Sequence, residues 1–437
     1  KVDQKRAIDL WKKAAKQNSW FAMMRLGDHY ASVGEYDTAW EYINEGMRWN
    51  YPGCISSAID MYFMGMGVAA DEAKAQKMAV DLCQKMPNVE YPYYVAGRVF
   101  MIPDNKALRD SIRAMDYWRK GDALGSQICR QVIARMMIHS GQYAEAKYYL
   151  ERMLNKEGDD YLKGDACLDL SQMYYMGWGV EENKVKAMDY LYRGADEYGS
   201  SQCAKTAASF HSMENGDRRT AEHYYRRAIE LGDNDAYIEL AELYANDGNI
   251  DGVIGCYNDM IEKGYVDGYY YLTLLYANLN NDEKTMEYLD KGVKNKSSLC
   301  LTMKGRVYED GYDGKDPDYK KAAKYYEQGG TGLAFYRLGL LYINGKLGKG
   351  SDDDMKKAVE YLKKSADMNY IDAIQALGYC YETGTAVEEK DYGKALEYYK
   401  LLADNDVAQG IFKVGNYYES GLGGLEADSM AAIAYYR

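Results

Sequence analysis

Apolar residues recur along most of the chain at i, i+3, i+4, i+7 and i+8. Ala373, Ala376, Leu377, Cys380 and Tyr381 follow this spacing, which places them on one stripe of a 3.6-residue helix. Further on, Ala395, Tyr398, Tyr399 and Leu402 form a second stripe, with Lys394, Glu397 and Lys400 opposite. Between the stripes, Gly384 suits the left-handed backbone that ends a helix, and Asp391 lies where a carboxylate caps the next one. The stretch is predicted to be a helical hairpin. Gly378 sits inside its first helix, where it costs about 1 kcal/mol relative to alanine; close approach of the second helix is the expected reason.

One hairpin cannot bury two stripes alone, and copies of it run through the sequence. The order Leu338-Gly339, Tyr342, Gly345, Ala358, Tyr361 repeats it upstream, as does Leu170, Tyr174, Gly177, Gly179, Val180, Ala187, Tyr190. The second-helix alanine is traced through Ala7, Ala39, Ala75, Ala114, Ala146, Ala187, Ala221, Val253, Thr285, Ala322, Ala358, Ala395 and Ala432, at separations of 32 to 41 residues. An aromatic residue commonly follows three positions later, as at Tyr42, Tyr117, Tyr190, Tyr325 and Tyr398. The fold predicted is an all-α solenoid of about a dozen stacked helix-turn-helix units in which each repeat touches its neighbours.

Length alone, 437 residues, would suggest two or three globular domains. The unbroken period instead predicts one solenoid over 1–437: mixed repeats over 1–199, shorter ones over 200–297 and long-loop ones over 298–437. Five prolines suit continuous helix, and 42 glycines suit a break in every hairpin. The chain opens on the helix "KRAIDLWKKAAK" and closes on "MAAIAYYR". Neither has the polar face of a capping repeat, so both ends read as cut within a repeat of a longer protein.

Charge and composition narrow the function. With 54 basic and 67 acidic residues the net charge is −13, and no basic stripe tracks a phosphate backbone, so nucleic acid is an unsuitable partner. No apolar run is long enough for membrane insertion, and no signal peptide is visible. Eight cysteines are scattered singly, several on apolar helix positions, without a Cys-x-x-Cys pair. They read as reduced core residues, which points to the cytoplasm.

The series Leu-Gly-x-x-Tyr, then Gly-x-Gly-Val, then Lys-Ala-x-x-Tyr-Tyr resembles the Sel-one-like repeat, a branch of the tetratricopeptide repeats. Its instances include Leu377-Gly378 with Tyr381, Gly384 and Val387, then Lys394-Ala395 and Tyr398-Tyr399, and the breaks at Gly177-Trp178-Gly179-Val180 and Gly65-Met66-Gly67-Val68. Segments such as "GQYAEAKYYLERML" look more like plain tetratricopeptide repeats, and Ala386 replaces the second loop glycine. The resemblance implies a right-handed superhelix whose first helices line a concave groove. It also implies an adaptor role, since members typically assemble other proteins.

No catalytic constellation is visible. His29, His139, His211 and His223 stand apart, without the i, i+3 or i+4 partner of a metal site. The glycines from Gly421 are the repeat's own break, with no strand before them. The acidic loops Ser351 to Asp354 and Glu309 to Asp318 lack the ligand spacing of a calcium loop and are expected to be solvated, helix-capping acids. No cofactor is indicated.

The 47 tyrosines exceed what packing requires, and tyrosine and arginine are favoured as interface anchors. If first helices line the groove, the residue after Leu-Gly faces it: Asp28, Arg98, Gln172, Glu242, Leu274, Arg306, Leu340, Tyr379 and Asn416. The neighbouring turn adds Arg25, Tyr270, Tyr336 and Arg337. This lining suits an extended peptide or a partner helix. The expected function is therefore a protein-interaction scaffold, with a regulatory or structural arm of a larger protein as the alternative and a hydrolase-like enzyme as the more distant one.

Overall fold

The structure, a computed structural model, describes residues 4–103, 105–155, 159–312 and 314–436. Among them run 25 α-helices, from Gln4–Ala15 to Ser429–Tyr436, and no β-strand. The helices alternate between two types. Those carrying the Leu-Gly pattern, such as Trp20–Ser32, Tyr91–Met101 and Ile371–Thr383, are termed A-helices; those carrying the marker alanine, such as Tyr36–Arg48 and Tyr392–Asp404, are B-helices. The chain forms two compact units, Lys1–Ala236 and Tyr237–Arg437, and each is a helical repeat array in which consecutive helices pack as antiparallel neighbours.

Local chemistry sets the ends of each helix. Most B-helices begin at Asp or Asn, whose side chain accepts the backbone N–H three residues on: Asp71, Asp110, Asn183, Asp318 and Asp391 all do so, the last at 2.9 Å from Lys394 N. Several A-helices begin instead at Ser or Thr, including Ser19, Ser126, Ser200, Ser297 and Thr331. Others end on a left-handed glycine, Gly65, Gly177, Gly384 or Gly421. The acidic stretch from Ser351 to Asp354 is a reciprocal capping box, so it caps a helix as expected, but Asp354 is buried and not solvated, its carboxylate accepting the Lys349 and Ser351 backbone N–H groups.

Packing inside a hairpin is governed by the residue after the A-helix leucine. A Cβ at Gly378 would lie 2.7 Å from the Tyr399 ring. The same contact joins Gly27 to Ile43, Gly97 to Trp118, Gly305 to Tyr326, Gly339 to Leu362 and Gly415 to Tyr436. Each partner stands four residues after the marker alanine. In the hairpin of Pro52–Met64 and Glu72–Lys85 the sizes are exchanged, with Ile59 at the A position and Ala79 at the B position, both fully buried.

A second close approach joins successive hairpins. Gly46, Gly121, Gly194 and Gly292, seven residues after the marker, receive Cys54, Cys129, Cys203 and Cys300 of the following A-helix. Here too the sizes can reverse, as where Leu402 stands at the B position and Gly410 at the A position. Over the other side of each hairpin, the A-helix tyrosine stacks on the tyrosine three residues after the marker. Tyr381 and Tyr398 lie 5.9 Å apart at 8°, Tyr308 and Tyr325 5.4 Å apart at 6°, and Tyr276 and Tyr288 5.3 Å apart at 10°. The lysine before the marker covers the pair, as Lys394 does over Tyr381 at 5.3 Å.

The second loop glycine leans on the preceding repeat: Gly423 sits against the Tyr392 carbonyl, Gly179 against Tyr143 and Gly67 against the Tyr36 carbonyl. Ala386 keeps the same left-handed backbone, at φ +61°, despite its side chain.

Two outcomes are expected. Gly378→Val drives methyls into the Tyr399 ring and lowers unfolding free energy by about 1–3 kcal/mol. Combining it with Tyr399→Ala should recover part of the loss of the two single changes, as a double-mutant cycle in urea would show. Ala386→Gly relieves left-handed strain of about 1–2 kcal/mol at an entropic cost of about 0.5–1 kcal/mol, so a small rise in the urea midpoint is expected.

Candidate functional site

The predicted site residues fall on the outward side of the A-helices and divide between the two units. In the first, they belong to a lateral ladder of polar contacts. Asp28 accepts a hydrogen bond from Ser57 Oγ at 3.4 Å, and Arg98 pairs with Asp60. Arg135 reaches Asp169 at 3.1 Å and Asp165 at 3.3 Å, and Gln131 donates to Asp165 at 2.6 Å. Burial raises the Asp28 and Asp169 carboxyls and lowers the Arg98 guanidinium. Arg25 lies over the Trp11 ring at 5.2 Å, while Gln172 is exposed. Asp60, Arg135, Asp165 and Asp169 were not singled out from the sequence. Their signal is the register: Asp60 and Arg135 stand at the same position of their A-helices as Asp28 and Arg98.

The second unit is built differently. Glu242 and Arg306 are exposed, and Tyr270, Leu274, Tyr336 and Leu340 are half-buried. Tyr379 is 56% exposed. Tyr270 packs edge-on against Tyr271 at 5.5 Å, and Tyr336 lies 5.4 Å from Tyr370. Phe412, which sequence reasoning missed, occupies in its A-helix the position of Tyr336 and is also 56% exposed.

Two predicted groove residues serve the framework instead. Arg337 stands 3.2 Å from the Glu309 carboxylate, which also accepts the buried Tyr326 hydroxyl at 2.6 Å. Glu309 is thus not the solvated acid expected of its loop. Its side chain lies beneath the next A-helix, where the phenol and guanidinium satisfy it; Asp318, at the loop's other end, does cap a helix, and Asp313 lies outside the described residues. Glu382 repeats the arrangement, receiving Lys413 Nζ at 2.8 Å and the Tyr399 hydroxyl at 2.9 Å. Asn416 accepts from Tyr436 at 2.7 Å. Burial, then Glu382, holds the Tyr399 hydroxyl well above the usual tyrosine range, and burial and Glu309 do the same to Tyr326.

The chemistry-bearing residues are dispersed. All eight cysteines are buried, and burial pushes the Cys54, Cys129, Cys300 and Cys380 thiols up to about 11, opposite to what a nucleophile needs. Among the described residues no group of three His, Cys, Asp or Glu is placed to hold a metal ion, and no helix is long and apolar enough to cross a membrane. His211 replaces the ladder tyrosine of its A-helix at a π-helical turn, His211–Asn215, and is buried with Nε2 2.6 Å from the Tyr192 hydroxyl. A groove of about 720 Å³ opens between the B-helix Asp352–Ala366 and the loop 384–391. Its charged groups are largely committed: Asp391 caps a helix and meets Lys394 at 3.3 Å, and Lys356 meets Glu388 at 3.3 Å.

A Sel1 repeat model matches eight segments, residues 1–19, 55–79, 164–198, 213–233, 303–330, 333–370, 371–407 and 408–437, together more than half of the chain. The chain belongs to the Sel1 repeat family. Sel1 and related tetratricopeptide-like repeats generally mediate protein–protein interactions, and the fold is typically a non-catalytic scaffold. Solved structures similar to this Sel1 chain include a protective antigen of uropathogenic Escherichia coli displaying an SLR fold. It is 20% identical, with 98% of this chain and 86% of that one covered and a TM-score of 0.39. A Sel1 repeat protein from Oxalobacter formigenes is also 20% identical, covering 55% of this chain and 99% of its own, at a TM-score of 0.40. Yeast Tom70 is 12% identical over 96% and 95% of the two chains, at 0.36. No curated protein matches the Sel1 chain in sequence.

The raised tyrosines fix the sign of an alkaline response. An unfolded tyrosine ionises near pH 10, and Tyr326 and Tyr399 ionise higher in the folded state. Their contribution is therefore complete below about pH 10 and is lost as pH rises toward the folded values. Phenolate absorbance at 295 nm should include a cooperative step above about pH 10 that coincides with loss of helical circular dichroism. A smooth titration of all tyrosines near pH 10 with helicity intact would contradict the assignment.

Proposed function

We propose that this Sel1 protein is an interaction scaffold that holds a protein or an extended peptide along the outward face of its A-helices. On this reading that face is the concave lining implied by the repeat family. The observation that carries the proposal is the placement of Tyr379 and Phe412. Both are large, both are 56% exposed, and both stand outside the two close contacts and the stacked ladder that hold the repeats together. Phe412 meets the Tyr436 ring at 5.9 Å yet stays largely open to solvent; exposed aromatic side chains held on rigid helices are the residue type that anchors interfaces.

The test is affinity capture of partners by the wild-type chain, by the variant Tyr379→Ala with Phe412→Ala, and by Ile112→Ala with Val185→Ala. The last removes exposed apolar residues of B-helices, 79% and 74% exposed. A partner held by the wild type and by the B-helix variant but released by the A-helix variant, with circular dichroism unchanged, supports the proposal. Equal capture by all three, or loss only with the B-helix variant, overturns it.

A further inference from the structure

We infer that the A-helix face of the second unit recognises an extended peptide segment bearing a carboxylate flanked by apolar side chains, with Arg306 as the carboxylate receptor. This rests on the scaffold reading above and gives the partner a chemistry.

Four cations stand on the A-helices of this unit: Lys304, Arg306, Arg337 and Lys413. Three are paired. Lys304 meets Asp290 at 2.7 Å, Arg337 meets Glu309 at 3.2 Å, and Lys413 meets Glu382 at 2.8 Å. Among the described residues, Arg306 is the exposed cation of the four and the one with no ion pair in the structure. Its neighbours at the same helix position are apolar: Leu274 on the preceding A-helix, Gly268–Asn278, and Leu340 on the following one, Gly332–Ile343. Both helices touch the Arg306 helix, Ser298–Asp310.

The guanidinium stands between two half-buried leucines with no ion pair in the structure, although the exposed Asp310 lies one turn on in the same helix. When a ligand covers the leucines, water is withdrawn from the guanidinium and a paired carboxylate gains strength. A single cation with the exposed Glu242 on the same face, in a chain of net charge −13, suits one carboxylate and repels a polyanionic backbone.

The geometry also sets the spacing. Packed helices stand about 8–10 Å apart, and an extended chain advances about 3.3 Å per residue. A segment crossing these helices therefore moves from one A-helix to the next in about three residues. The expected pattern is an apolar residue, an Asp or Glu about three positions on, and a second apolar residue about three beyond it. Tyr379, on a later A-helix, offers an aromatic surface for the peptide residues beyond that.

The experiment is selection of a random dodecapeptide phage library against the full chain, and in parallel against Arg306→Glu and Arg306→Ala. Wild type should enrich peptides with an acidic residue flanked by apolar ones at about three-residue spacing. Arg306→Glu should enrich Lys or Arg at that same position. Arg306→Ala should bind the wild-type peptides about tenfold or more weakly, the scale of one hydrogen-bonded charge, and with less dependence on salt. Arg306 is exposed, so circular dichroism of both variants should match the wild type. Acidic enrichment that persists with Arg306→Glu overturns the inference, as does a wild-type consensus without an acid. If peptides are selected that depend on Tyr379 but not on Arg306, the inference fails while the scaffold reading stands. Recovery of no peptide overturns the inference, and the capture experiment then judges the scaffold on its own.

Discussion

The architecture depends on helices approaching until side chain meets bare backbone. A glycine in a helix interior costs about 1 kcal/mol, and this chain carries one at two recurring sites: beneath the large B-helix residue of hairpins such as those of Gly305 and Gly378, and against the next hairpin's cysteine, as at Gly46 and Gly121. What offsets the cost is burial. Tyr326 and Tyr399 lie flat on Gly305 and Gly378 and are essentially removed from solvent, a gain of about 1.5–3 kcal/mol for each ring. Hairpins that depart from the glycine pattern can exchange the sizes. Where the A-helix has Ile59 the B-helix has Ala79, and where the B-helix has Leu402 the next A-helix has Gly410. Total volume at the contact is conserved, not the identity of the residue, as expected of a close-packed interior.

Burying phenols so deeply creates a second requirement. A buried hydroxyl without a partner costs about 1–3 kcal/mol, and an A-helix carboxylate supplies the acceptor: Glu309 for Tyr326, Glu382 for Tyr399. A half-buried carboxylate in turn needs a positive charge, and Arg337 and Lys413 bring it from the following A-helix. Tyrosine, glutamate and cation thus tie these two hairpins internally and to their successors. In the first unit the A-helices carry lateral pairs instead, Asp28 with Ser57, Asp60 with Arg98 and Arg135 with Asp169, which spend their polar groups on one another. The second unit meets its pairing needs beneath the surface and leaves apolar and aromatic side chains outside.

This division explains what could be read in advance. The helical hairpins, the caps at Asp391 and Ser351, the left-handed Gly384 and the close approach at Gly378 were legible, because each is a consequence of local spacing or backbone conformation. The stacked tyrosines were legible as a position without their partner. Arg337 looked like a groove residue, since helix periodicity locates a side chain on a face without saying what stands opposite it. Its acceptor lies 28 residues away in sequence at Glu309, within a loop-like run of acids whose composition suggested solvation. Phe412 stands three residues before the small position, as Tyr270 and Tyr336 do, but that position was followed on only two of the A-helices and not on the one that carries Phe412.

A repeat array separates its obligations by position, and this bears on where function resides. Residues at the two close contacts are constrained by volume, the ladder by stacking, and the glutamates by the phenols beneath them. The residue after the small A-helix position has no such duty over most of the second unit, and there the chain varies freely: Glu242, Leu274, Arg306, Leu340 and Tyr379 share a position and little chemistry, while Asn416 accepts the Tyr436 hydroxyl. On the proposed scaffold reading, a site that packing leaves unspecified, held on rigid helices and repeated at regular intervals, would present a row of independent contacts to a ligand crossing the stack. Specificity then comes from the order of those contacts, and an unpaired guanidinium between two leucines is the most discriminating of them, because a partner that buries it without a carboxylate must bear the desolvation of the charge.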